Sequence, residues 1–266
     1  MVPGRAGERP ISRRRSAPRG GGPVSLNVVA LAGSPRARSF THRLLEAFLE
    51  GMGEGVTVER FDVRDLTVNP CRGCFSCWFT TPGRCSQHDD FPRVAAGLAR
   101  ADAIILAAPL YFDGLPGPVK TLLDRCVCLV EPYFSVDPDG RSVHRSRRVI
   151  VGGSPPAAVL ISTCGFPEPV NFTPLEGHFR AICRNASWVD GGNLLVPGAG
   201  ALDPAGCRQE VLDLAARAGR ELATGRRIPA SIQERMRGPW VDPELARQGM
   251  NHFFAERLRR EAPPGD

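Results

Sequence analysis

Long uncharged apolar runs are missing from this chain. None reaches the roughly 18 residues that a membrane-crossing helix needs, although 42% of the 266 residues are hydrophobic. The basic N-terminus is not followed by an apolar stretch, so no secretory signal is read there. No internal repeat occurs. The histidines, His42, His88, His144, His178 and His252, are scattered, and no H-x-x-E-H or similar pattern links them. The expectation is a protein of a reducing, cytoplasmic compartment with no membrane partner. In such a compartment its nine cysteines are reduced, metal-bound or catalytic rather than disulfide-bonded.

The net charge of +6 is unevenly placed. Residues 1–23 hold six arginines and one glutamate, a balance of +5, which leaves about +1 for the rest of the chain. That segment is rich in Gly and Pro and nearly free of apolar side chains, so residues 1–24 read as a disordered basic tail. Its alternatives are a solvated extension and weak binding to nucleic acid or an acidic partner. Pro3, Pro10, Pro18 and Pro23 argue against the amphipathic helix of a transit peptide. No specific nucleic-acid site is read.

Beyond the tail, strand and helix patterns alternate. Strands are expected at 25–32, 56–63, 102–111, 157–163 and 188–198. Helices are expected at 39–52, 91–101, 115–130, 172–187 and 203–225, the last capped by Asp203 with Pro204 at its first position and Gly225 as its stop. The strands are apolar rather than half polar. That pattern predicts a doubly wound α/β domain over residues 25–225, a five-stranded parallel sheet covered on both faces in three αβα layers. Residues 68–90 form a cysteine-rich insertion. Residues 131–156 are a polar excursion. Residues 226–266 read as an extension made of a linker and a charged terminal helix.

In such a sheet, ligands sit at the carboxyl ends of the strands. The first loop, "AGSPRARSFT", places Gly33, Ser34, Arg36, Ser39 and Thr41 before a helix N-terminus, a donor set suited to a phosphate. It is not G-x-G-x-x-G and lacks the P-loop lysine, which favours a single terminal phosphate over a dinucleotide or ATP. A capped turn without ligand fits the same residues. The third-strand loop puts Pro109, Leu110, Tyr111 and Phe112 beside Gly114 and Gly117, whose N–H groups would be open to a planar ring. The fourth-strand loop offers Ser162, Thr163, Cys164 and Gly165. Cys164 could touch a cofactor or simply pack as a small apolar residue. Asp89 and Asp90 read as helix caps. Cys126 and Cys128, two apart on a helix, point to different faces, and Cys183 and Cys207 read as structural.

These three loops, in this order and spacing, resemble those of the flavodoxin-like NAD(P)H-dependent FMN reductase family over about residues 25–225. The resemblance implies noncovalent FMN. Its phosphate would lie on Ser34, Arg36, Ser39 and Thr41, and its ring against Pro109, Leu110, Tyr111, Phe112 and Gly114 and against Ser162, Thr163, Cys164 and Gly165. NAD(P)H would be the electron donor. Phe40 departs from the pattern, standing where family members carry a small polar residue.

The stretch "CRGCFSCWFTTPGRC" has the spacing C-x2-C-x2-C-x7-C. It resembles the cysteine motif of the iron–sulfur flavoproteins, a branch of the same family. That implies Cys71, Cys74, Cys77 and Cys85 as ligands of a [4Fe–4S] cluster, with Phe75, Trp78 and Phe79 as its shield. Structural zinc, which commonly uses two separated cysteine pairs, and a ligand-free loop of redox-active thiols remain alternatives. The function implied is an FMN-dependent oxidoreductase of the FMN or quinone reductase type, relaying electrons to a small-molecule or redox-protein acceptor as a homodimer or tetramer. No general acid or base is assigned. A flavodoxin-like electron carrier and a thiol-based redox sensor stand as the other classes.

Overall fold

The computed structural model describes residues 26–150 and 153–261; the expected basic tail lies outside them. Its frame is β1 (Leu26–Ala32), α1 (Phe40–Gly51), β2 (Val56–Asp62), α2 (Ser76–Phe79), α3 (Phe91–Arg100), β3 (Ala103–Ala107) and α4 (Gly117–Arg125). Then come β4 (Val130–Val136), β5 (Ser142–Ser146), α5 (Arg147–Ile150), β6 (Ala157–Thr163), α6 (Thr173–Ala186) and β7 (Val189–Val196). The chain closes with α7 (Arg208–Gly225), α8 (Ala230–Met236) and α9 (Pro243–Glu261). Among the described residues no helix is long and apolar enough to cross a membrane.

The five expected strands form one parallel sheet in the order β2-β1-β3-β6-β7. β1, β3 and β6 are continuous apolar runs, and from Val28, Ala103 and Ala157 onward they are buried, because helices cover both faces. On one face α1, α7 and α8 pack over Val28, Ala30, Ile105 and Val159. On the other, α3, α4 and α6 pack over Val29, Leu31, Ile104 and Leu160. The strand order reverses between β1 and β3, so the carboxyl ends there open the crevice that a doubly wound sheet offers to ligands.

Four elements depart from the sequence reading. The excursion at 131–156 carries regular structure: β4 and β5 form an antiparallel hairpin, whose Pro132 in β4 and single apolar residue in β5, Val143, hid the strand signal. Cys126 and Cys128 lie on a 3-10 turn that follows α4, not on an α-helix. Asp203 does not cap α7. The helix begins at Arg208 behind Cys207, with no side-chain cap, and Asp203 pairs with Arg208 instead. The segment after Gly225 is no linker, since Ile228, Ile232, Met236 and Trp240 are buried in the core beside α7. These four residues recur every fourth position, a helix-period apolar signal that the linker reading passed over.

Candidate functional site

The register brings the three expected loops to one edge. Ala32 stands beside Ala107, and Ala107 beside Ile161. Two further backbone bonds extend the ladder past the strand ends: Gly33 N–H donates to Ala107 O (2.7 Å) and Leu110 N–H to Thr163 O (2.9 Å). The hydroxyls of Thr41 and Thr163 meet at 2.7 Å, both buried. The first and fourth loops are therefore joined directly. Gly33 is required by packing: a Cβ there would run into the Val119 side chain and crowd Ala108.

In the first loop Ser34, Ser39 and Thr41 are buried and Arg36 is exposed. The Ser39 Oγ accepts from His42 N–H (3.2 Å), and the Ser34 Oγ accepts from Arg36 N–H (3.3 Å). Both hydroxyls act as acceptors in these bonds, so each keeps its proton for another group. α1 has no acidic residue in its first turn, which leaves its positive end uncompensated. His42 was not singled out from the sequence. It is buried beneath the loop, with Nδ1 3.1 Å from Ala37 O and Nε2 3.9 Å from Asp62. Ser162 adds a buried hydroxyl with no partner. Cys164 is buried, its thiol is pushed up by that burial, and Phe166 N–H donates to its sulfur (3.3 Å).

The ring loop corrects one expectation. Tyr111 and Gly114 exchange both backbone bonds at 3.0 Å, so the Gly114 N–H is taken. The turn between them puts Phe112 (φ 46°) and Asp113 (φ 60°) in the left-handed region. A bulky residue rarely sits there, and such strain marks functional loops. The Phe112 side chain is fully exposed. Pro109 lies buried at the base of the loop and Leu110 is half-buried.

Cys71, Cys74, Cys77 and Cys85 line one small cavity together with Phe75, Gln87 and Arg125. The loop reaches this shape through three left-handed residues, Gly73 (φ 63°), Phe75 (φ 54°) and Gly83 (φ 81°). The thiols influence one another: Cys77 is pushed up first by burial and then by Cys85, Cys71 and Cys74. Cys74 is lowered to about 7 by hydrogen bonding with Ser76 and Ser86. Cys128 lies beneath them, raised to about 12 by burial and by the nearby Cys77 and Cys85, so it stays a protonated thiol.

Of the expected shield, Phe75 lines the cavity. Trp78 instead docks the loop, donating from Nε1 to Val127 O (3.0 Å) and packing 5.0 Å from His144 of the hairpin. Phe79 points to solvent, 73% exposed, and shields nothing. Of the two expected caps, Asp90 stands at the N-cap of α3 but makes no side-chain cap bond, while Asp89 accepts from the first helical N–H. Asp90 accepts from Thr67 N–H (2.7 Å), and Asp89 accepts from the N–H groups of Asn69 (2.9 Å) and Phe91 (3.1 Å).

Among the described residues no group of three or more His, Cys, Asp or Glu is placed to hold one metal ion. A single ion needs every sulfur about 2.3 Å from one point. A polynuclear cluster takes its thiolates at separate corners, so its sulfurs stand further apart. Four cysteines around a shared cavity fit the second arrangement.

Residues 26–154 match the family model described as NADPH-dependent FMN reductase. Over that segment the chain is similar to the NADPH-dependent FMN reductase family. The matched segment carries the first and third loops and the four cysteines. An iron–sulfur flavoprotein of Methanocaldococcus jannaschii is 35% identical over 101 residues, covering 38% of this chain and 51% of that protein. One from Archaeoglobus fulgidus is 37% identical over 101 residues, 38% of this chain and 48% of that protein. The chain thus spans about half the length of the curated relatives it matches. The structure of an NAD(P)H:quinone oxidoreductase from Methanothermobacter marburgensis superposes with a TM-score of 0.55 at 22% identity, covering 74% of this chain and 97% of that one. At that identity the likeness speaks for the fold, which is flavodoxin-like.

Proposed function

We propose that this chain is an FMN-dependent oxidoreductase that draws on NAD(P)H, with a [4Fe–4S] cluster on the Cys71–Cys85 loop. The observation that carries the flavin reading is the joining of the three strand-end loops by the Thr41–Thr163 and Leu110–Thr163 bonds. FMN, when bound, accepts hydride at N5 and delivers one or two electrons. A cluster, when bound, exchanges electrons one at a time.

Ser34 and Ser39 would give their free hydroxyl protons to the phosphate, while Arg36 and the positive end of α1 offset its charge. Because the Gly114 N–H is taken by Tyr111, the backbone N–H groups of Phe112 and Asp113 would be the ones to meet a ring edge. The buried Ser162 hydroxyl, Thr163, Cys164 and Gly165 close the third side, with Pro109 and Leu110 as the apolar floor. Cys71, Cys74, Cys77 and Cys85 would supply the four thiolates. The acceptor is a small oxidant or a redox protein, and the assembly a homodimer or tetramer in a reducing compartment.

Mixing the protein, loaded with FMN under nitrogen, with NADH and with NADPH tests the enzyme reading. Bleaching of the flavin band within seconds, and its return on adding a quinone, supports it. A tightly held FMN that neither nucleotide bleaches would make the chain an electron carrier instead.

A further inference from the structure

Among the described residues the largest fully buried side chain is a charged one. Arg125 ends α4, three residues after the buried Leu122, and is 1% exposed. Its Nη1 donates to Asn69 O (2.8 Å) and to Asp89 Oδ2 (2.7 Å), and its Nη2 to Asp89 Oδ1 (3.2 Å). The guanidinium stacks on Phe91, 4.7 Å from the ring centre. Nε is buried and has no partner. The same side chain lines the cavity of the four cysteines, and Cys85 ranks with Asp89 among the groups that hold its proton on.

A buried N–H without an acceptor costs roughly 1–3 kcal/mol, so its retention at this spot calls for an acceptor. Sulfur is what the cavity offers. A site of four thiolates is anionic, and each added electron makes it more so. A fixed cation in a poorly screened interior favours the reduced state, and the Asp89 charge beside it opposes that effect.

We propose that Arg125 is a positioning residue for the cysteine site: its free Nε–H donates to a sulfur there, and its charge, trimmed by Asp89, sets the site's reduction potential. The inference rests on the reading that the cysteines hold a cluster. No bond is made or broken, since one electron enters from an external reductant and leaves to an acceptor.

The test is a dithionite titration of the full chain under nitrogen, following the cluster by electron paramagnetic resonance and the bound FMN by absorbance as internal reference. Iron is counted in each sample. Relative to FMN, the cluster of Arg125→Gln should become harder to reduce, shifting the electron-exchange equilibrium by about tenfold or more. Arg125→Lys should recover part of that shift. Asp89→Asn should move the equilibrium the opposite way. A merely structural arginine would not produce opposite signs. Four irons with an unmoved cluster potential in Arg125→Gln and Asp89→Asn would overturn the inference alone. If Arg125→Gln fails to hold iron, the other two variants decide; loss of iron from all three would make the role structural and overturn the claim on the potential. A wild-type chain without iron would overturn the cluster reading beneath it.

Discussion

Thr41 of α1 and Thr163 at the end of β6 share a single hydroxyl hydrogen bond at 2.7 Å, 122 residues apart in sequence. The bond ties the start of α1 to the loop that follows β6, and both side chains are buried. Thr41→Val leaves the Thr163 hydroxyl without its partner, at a cost of about 1–2 kcal/mol. Chemical denaturation should show that loss, and FMN titration by fluorescence quenching should show weaker uptake. Thr41→Ser should restore both.

Arg36 offers a test that separates the proposed phosphate binding from folding. It is exposed, and its side chain makes no hydrogen bond or ion pair among those recorded for the described residues. Arg36→Gln should weaken FMN binding by roughly tenfold, the worth of one charge-assisted hydrogen bond. Riboflavin, which lacks the phosphate, should bind both forms equally, and the melting temperature without flavin should not move. Equal losses for FMN and riboflavin would place the phosphate elsewhere.

Gly33 and Val119 form a second separable pair. Gly33→Ala should destabilise the fold by about 1–3 kcal/mol through overpacking, since its new methyl meets Val119. Adding Val119→Ala should return part of the stability, and a double-mutant cycle from denaturant midpoints measures the coupling. Additive losses would mean that the two residues do not meet.

The sheet and three of its loops were legible because buried parallel strands write themselves as apolar runs and turn residues punctuate them. The four cysteines were equally plain from spacing. Arg125 and Asp89 were not, since an arginine three residues after Leu122 reads as a helix end and an aspartate before Phe91 reads as a cap. Their pairing depends on α4 and the start of α3 meeting under the cysteine loop. The one signal available was a charge on the apolar side of α4. The hairpin was missed because β4 carries Pro132 and β5 a single apolar residue, Val143, and α8 because it buries only Ile232 and Met236 of its seven residues.

The Asp89 carboxyl also sets a pH dependence. Burial alone would raise it, but hydrogen bonds from Arg125, Asn69 and Phe91 hold it below its ordinary value of 3.8. A carboxyl depressed in the folded state contributes stability that is present in full above that ordinary value. The contribution is lost as pH falls through the lower folded value. Asp89→Asn should therefore cost about 2–3 kcal/mol near neutral pH. Its deficit against the wild type should shrink below about pH 4, as urea midpoints across pH will show. A deficit independent of pH would mean that the Asp89 charge contributes nothing.

The most direct measurement is an absorption spectrum of the full chain purified without oxygen and loaded with FMN, with iron and acid-labile sulfide assayed on the same sample. Flavin bands over a broad absorbance, with about four irons and four sulfides per chain, are the predicted result. Flavin bands alone, with iron and sulfide near zero, would contradict it and leave Cys71, Cys74, Cys77 and Cys85 as a thiol loop on a simple flavin reductase.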